Sequence, residues 1–314
     1  MTGVQTCALP ILLFIAGSVK SGNYCVFHAG YLVIKNIAYF PSQCARNSGP
    51  VMSAVLDVFQ CAGIQTQENS WTSDAAVIWS VLWHGRMASN QQVYEHYRQH
   101  KRPVIIVEVG ALYRGQTWKV AVNNINAQGY YGQTENLDWD RPRKLGVSLA
   151  TSLGTNPAVL IAAQHGRSLQ LVNLSSQESW ISNVITQLRQ YTDRSIHIRP
   201  HPRHRLNWNM LPQDIKIEQP LLQPNTYDSF DIHFDYHAVI NYSSGPGIQA
   251  AIAGTRPIVD ASSLAYPVGV DIKDIEQHYS VDREQWLTQI CHTEYTLEEL
   301  QKGTWLKRIE PALT

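Results

Sequence analysis

Three stretches of this chain, residues 75–81, 103–109 and 158–163, are apolar almost without interruption, and helical patterns lie between them. A strand that lacks polar alternation has no face to give to water, so it belongs in a parallel sheet covered by helices on both sides. Residues 34–40 read as a further strand, and 49–63 as a helix with Val51, Val55, Leu56 and Phe59 on one face. A second helix is expected over 94–100. A polar, proline-bearing break, Asp138-Trp-Asp-Arg-Pro-Arg-Lys144, reads as a linker. The alternation then restarts with strand 158–163, a helix over 178–191, a strand at 238–241 with its helix, and a strand at 257–260. Helix formers at 282–290 and 296–302 close the chain and are expected to pack last, back across the first unit. The expected fold is α/β, with two doubly wound units facing a cleft, divided as 33–145 and 146–290 with a helical tail at 291–314.

Composition narrows the class. Hydrophobic residues make up 44% of the 314, enough for two cores, and no apolar run approaches the ~20 residues of a membrane span. Formal net charge is zero, so no global field draws the chain to nucleic acid or anionic lipid, although a local basic patch remains compatible with it. Cys7, Cys25, Cys44, Cys61 and Cys291 are scattered and follow no metal spacing, which suits a reducing cytoplasm. Met1-Thr-Gly-Val-Gln-Thr-Cys-Ala-Leu-Pro-Ile11 resembles the in-frame translation of a sequencing adapter, and 12–32 reads as upstream sequence. The fold is expected to begin near Val33.

Two runs carry the chemistry. Ser195-Ile-His-Ile-Arg-Pro-His-Pro-Arg203 is a short strand that stops at Pro200 and delivers Arg199 and His201 to the carboxyl edge of a sheet, where open α/β sheets bind ligands. Asn241-Tyr-Ser-Ser-Gly-Pro-Gly-Ile-Gln-Ala-Ala-Ile-Ala-Gly-Thr-Arg-Pro257 is a strand end that breaks into small residues and then a helix. Pro246 suits the first turn of that helix, Gly254 its close, and its N-terminal amides suit an anion. Arg199, His201, Arg203, Tyr242, Ser243, Ser244, Gly245, Gly247 and Gln249 are the expected donor-binding set. Gly245 and Gly247 are expected to let backbone approach phosphates closely.

These runs resemble the C-terminal half of GT-B glycosyltransferases, and in motif the capsule polysaccharide transferases, over roughly residues 158–270. There an Arg-x-His-Pro strand and a Ser-rich turn bind a nucleotide-sugar. The chain departs from that pattern at Gln249, where glutamate is usual on the donor ribose. The region from Ile34 to Arg308 also resembles phage-encoded glycosyltransferases. The resemblance implies a UDP- or GDP-sugar as co-substrate, no cofactor and no metal. It also implies a general base in the first unit, for which Glu108, at the end of apolar strand 103–109, is the candidate. Glu68 and Asp74 are weaker candidates.

Loops of the first unit furnish the expected acceptor side: Asn47, Ser48 and Gly49 at a helix start, and Arg114, Trp118 and Lys119, whose interleaved cations and aromatic ring suit phosphodiester and stacked bases or a sugar. The leading expectation is a glycosyltransferase acting on hydroxymethylated pyrimidines of phage DNA, with DNA as partner. The alternatives are transfer to capsule or lipopolysaccharide saccharides, a sugar-nucleotide epimerase, and a non-catalytic nucleotide-sugar-binding protein. Asp138-Trp-Asp140 reads as a turn, and Asp231, His233, Asp235 and His237 alternate as if on one strand without completing a metal shell.

Overall fold

The computed structural model describes residues 34–151, 154–225 and 230–313. The expectations for residues 1–32 lie outside this range. In chain order the elements are β1 (Asn36–Tyr39), α1 (Gly49–Cys61), β2 (Gln65–Glu68), β3 (Ala75–Trp79), α2 (Asn90–Gln99), β4 (Val104–Val109), β5 (Thr117–Val122), α3 (Arg141–Lys144), β6 (Val159–Ala162), α4 (Gln177–Leu188), β7 (Ile196–Arg199) and β8 (Lys216–Ile217). There follow β9 (Leu221–Leu222), β10 (Phe230–Asp231), β11 (Ala238–Asn241), α5 (Gly245–Ile252), β12 (Arg256–Val259), α6 (Glu284–Cys291), β13 (Glu294–Thr296), α7 (Leu297–Lys302) and α8 (Thr304–Ile309).

Two large sheets result, in a two-unit α/β arrangement, and β9 and β10 pair as a separate antiparallel ribbon. The first runs β13-β5-β4-β3-β1-β2, with β1 to β4 parallel and β5 antiparallel to both β4 and β13. The second runs β12-β11-β6-β7-β8 and is parallel throughout. Their apolar strands are buried on both faces, as continuous hydrophobicity requires. Ile37, Val77 and Ile105 face α1 and the C-terminal helices, whereas their neighbours Ala38, Ile78 and Ile106 face α2. In the second sheet Val159 and Ile161 pack against α4, and Leu160 packs on the opposite face with Val239.

The tail does return to the first unit. β13 pairs with β5, and Trp305 is fully buried with its ring edge-on to Phe59 at 5.2 Å. Residues 138–144, expected as a linker, end in α3 and are pinned in place: Arg141 pairs with Glu299 at 2.6 Å and donates to the carbonyls of Cys291 and Glu294. Six strands were absent from the sequence reading. β2 is a polar edge strand, β5 is mixed in composition, β13 is short and mixed, and β8, β9 and β10 have two residues each. Asp231 and His237 share no strand, His233 stacks on Tyr236, and Asp235 accepts from Thr155. Among the described residues no helix is long and apolar enough to cross a membrane.

Candidate active site

In each large sheet there is one place where successive connections leave in opposite directions: between β1 and β3 in the first, and between β6 and β11 in the second. At such switch points the loops diverge and leave a crevice at the strands' carboxyl ends. Both open into one cavity of about 500 Å³, lined by Ser80 and Glu108 from the first unit and by His165, His201 and Ser243 from the second.

On the first side, Glu108 stands near the end of β4. The Ser80 hydroxyl donates to its Oε2 at 2.5 Å, and the Val109 amide donates to Oε1 at 2.9 Å. Ser80 follows β3 and is 3% exposed with φ +65°. A side chain rarely adopts that left-handed conformation unless the surroundings impose it, and it is common at working sites. Glu108, Lys119 and Glu294 stand side by side across β4, β5 and β13. Glu294 is fully buried and takes the amides of Ala111 and Leu112 and the hydroxyl of Thr117, which holds the loop leading to Arg114. A Cβ on Gly110 would lie 2.3 Å from that carboxylate, so this loop requires glycine.

The expected acceptor residues divide. Asn47, Arg114 and Lys119 line the cavity. Ser48 does not: it is buried and donates to the Ala45 carbonyl at 2.7 Å. Gly49 begins α1 outside the lining. Trp118 is a correction. It lies on β5, where alternate side chains take opposite faces, so with Lys119 at the cavity Trp118 packs against the hydrophobic core of the first unit. Glu68 accepts from Tyr39 on an edge strand, and Asp74 accepts the amides of Lys35 and Asn36, so neither reaches the cavity.

On the second side, the Asn241 side chain shapes the turn. It donates to the Ala162 carbonyl and accepts the Ser244 amide at 2.7 Å. The Ser243 amide goes to Gln164 Oε1 at 3.2 Å. Two amides expected to hold an anion are therefore already satisfied, and the Gly245 amide is the one left at this end of α5 without an acceptor among the described residues. Gly245 and Gln249 line the cavity, and Gly247 does not. Its glycine serves packing: a Cβ there would meet Val259 Cγ1 at 2.8 Å. Tyr242 also leaves the expected set, because its ring packs edge-on to Trp180 at 5.9 Å.

Arg199 borders the cavity but is occupied. It donates to the His233 carbonyl at 2.9 Å and to Glu218 Oε2 at 2.8 Å, beneath the rings of Phe234 and Tyr236. Burial opposes the Glu218 charge, yet hydrogen bonds from Tyr236, His197 and Arg199 hold its pKa down to about 2. Arg203 lines the cavity directly. Burial, followed by His165 and the cations Arg114 and Arg203, pushes His201 down to about 3, so the ring is neutral near pH 7. Its Nδ1 accepts the Arg203 amide at 3.1 Å, which places the ring proton on Nε2 as a donor. Burial and neighbouring His204, His84 and Arg167 likewise push His165 down to about 4.

Ser80, Gln164 and His165 were missed by the sequence reading. Their signal is positional: each closely follows the apolar strand β3 or β6, as His201 follows β7.

No protein-family model matches the chain, and no curated protein matches it. Among solved structures it is similar to the Thermosulfurimonas dismutans KpsC beta Kdo 2,7 transferase, at 11% identity and TM-score 0.47 over 87% of this chain and 99% of that one. The beta Kdo 2,4 transferase of the same protein gives 12% and 0.48 over 89% and 98%. The Methanocaldococcus jannaschii UDP-GlcNAc 2-epimerase, in complex with UDP-GlcNAc and UDP, gives 11% and 0.34 over 88% and 99%.

Proposed function

We propose that this chain is a glycosyltransferase that moves a sugar from a nucleotide-sugar to an acceptor hydroxyl, without a resident metal, in the cytoplasm. Residues 146–290 are its donor half; 33–145, completed by 291–314, are its acceptor half. The observation that carries this reading is the single cavity shared by two switch points, one offering a carboxylate and the other chiefly hydrogen-bond donors. Glu108 takes the proton of the acceptor hydroxyl, whose oxygen attacks the anomeric carbon. The bond from that carbon to the phosphoryl oxygen breaks, and its electron pair leaves with the nucleotide. Arg203, the His201 Nε2–H, Ser243 and the Gly245 amide stabilise the growing negative charge, Ser244 and Arg199 hold the surrounding elements, and Gln249 reads the ribose.

For the acceptor, the placement of Trp118 favours a saccharide over a stacked pyrimidine. Trp79, the aromatic residue that the first sheet does present to the cavity, is 3% exposed and has no open ring face. Asn47, Arg114 and Lys119 suit hydroxyls and acidic groups instead. The deciding experiment incubates the protein with UDP- and GDP-sugars and one of three partners: capsule or lipopolysaccharide oligosaccharides, DNA containing 5-hydroxymethylcytosine or 5-hydroxymethyluracil, or no acceptor. Mass gain of one sugar on the oligosaccharide is expected. Gain on the modified base would move the acceptor to DNA, and conversion of the donor with no acceptor present would replace the reading with epimerisation.

A further inference from the structure

Three side chains that line this cavity carry buried polar atoms without a hydrogen-bond partner among the described residues: Gln170, whose Oε1 can only accept, and His165 and Ser243, which can donate. His165 is 4% exposed, its Nδ1 accepts the Arg167 amide at 3.1 Å, and its buried Nε2 makes no hydrogen bond of normal geometry, although the Arg203 backbone lies close enough to act on the ring. With Nδ1 accepting, the ring proton sits on Nε2, a donor without an acceptor. Ser243 is 9% exposed, and its buried Oγ is likewise unpartnered. Both line the cavity, and they follow β6 and β11, the two strands that flank the switch point. A buried donor left unpaired costs about 1–3 kcal/mol, so two in one cavity disfavour the empty site unless a ligand completes them.

We propose that His165 and Ser243 form a pair of neutral hydrogen-bond donors for one phosphoryl oxygen of the bound nucleotide, beside the Gly245 amide, and that His165 is a ligand-binding residue of this cavity. The inference rests on the nucleotide-sugar reading above. The ligand chemistry follows from the donors. A sugar hydroxyl must donate as well as accept, whereas a phosphoryl oxygen only accepts, and the His165 Nε2–H and Gly245 N–H only donate. The rings of His84, His201 and His204 pack around His165 at 4.9–5.2 Å and fix its orientation.

The test uses Ser243→Ala, which deletes the orphan hydroxyl alone, and His165→Asn, whose Oδ1 can still accept the Arg167 amide while Nε2–H is lost. Binding of UDP, GDP, UMP and CMP to the full chain is measured by titration calorimetry, and unfolding of the ligand-free protein by calorimetric scanning. Each variant is expected to bind the preferred nucleotide about tenfold more weakly, and Ser243→Ala to melt no lower than the parent. Variant affinities within twofold of the parent would overturn the proposal and leave the nucleotide reading intact. A parent protein that binds none of the four would overturn both. Weak binding together with a lowered melting temperature in Ser243→Ala would assign the hydroxyl to structure instead.

Discussion

At the scale of single residues, the proposed reaction turns on the Ser80–Glu108 pair. A carboxylate that must take a proton from a bound hydroxyl needs a fixed orientation, and the 2.5 Å bond from Ser80 supplies it. Glu108→Gln is expected to abolish transfer while nucleotide affinity, measured by titration, stays within about twofold of the parent, since Glu108 lies on the other side of the cavity from the donor set. Ser80→Ala acts through Glu108, so it should lower kcat by about tenfold with KM nearly unchanged; an equal loss in kcat and rise in KM would mark it as a structural residue. Cys44 donates to the Phe40 carbonyl, and burial pushes its thiol up, away from the nucleophilic thiolate.

At the scale of elements, the two helices that matter most are held in different ways. α5 lies close on β12 because Gly247 leaves Val259 its space. Gly247→Ala forces the helix outward, with an expected cost of about 1–3 kcal/mol and weaker nucleotide binding, because Ser243 to Gly245 move with it. Denaturant unfolding and titration of the same variant check both effects. The C-terminal helices pack into the core of the first unit. Trp305, edge-on to Phe59, is expected to cost about 3–5 kcal/mol when replaced by alanine. β13 positions Glu294 behind the Ala111–Leu112 amides, so loosening this tail should disturb the Arg114 loop as well as stability. β13 and β5 were illegible in sequence because their residues are mixed in polarity and their pairing joins segments far apart in the chain. β2 was missed because an edge strand needs little hydrophobic face.

Across the whole molecule, acid stability follows from two buried histidines and two hydrogen-bonded carboxylates. His165 and His201 charge only near pH 4 and 3 in the folded protein, whereas an unfolded histidine charges near pH 6.5. The unfolded chain thus binds more protons in that window. Stability is fully present above about pH 6.5 and declines as pH falls toward 4 and 3, by up to about 1.4 kcal/mol per pH unit for each histidine. Glu276, hydrogen-bonded by Arg194 and Thr192, and Glu218 are both held down to about 2, so the decline continues below about pH 4.5 as unfolded carboxylates protonate first. Melting temperatures from pH 8 to 4 should trace this slope, and His165→Asn should flatten it. Saturating nucleotide should raise the curve at every pH where it binds.

Local pattern determined much of this protein. The apolar runs at Val104–Val109, Val159–Ala162 and Ala238–Asn241 dictate buried parallel strands, and Pro246 with Gly254 brackets α5. Asn47, Glu108, His201, Arg203, Ser243, Gly245 and Gln249 were legible as cavity residues because strand ends and helix starts mark the carboxyl edge of a sheet, and Arg114 and Lys119 because cations cluster soon after Glu108. Which way a side chain faces was not legible. Trp118 and Tyr242 sit within a residue of cavity positions yet turn into packing, since neighbours on extended backbone alternate in direction and only the assembled sheet says which side is the cavity. The tertiary structure also decided which donors remain open. Asn241 and Gln164 satisfy the Ser244 and Ser243 amides, Glu218 engages Arg199, and His165 is left with an unanswered Nε2–H, because hydrogen-bond satisfaction is a property of the folded neighbourhood and of no single segment.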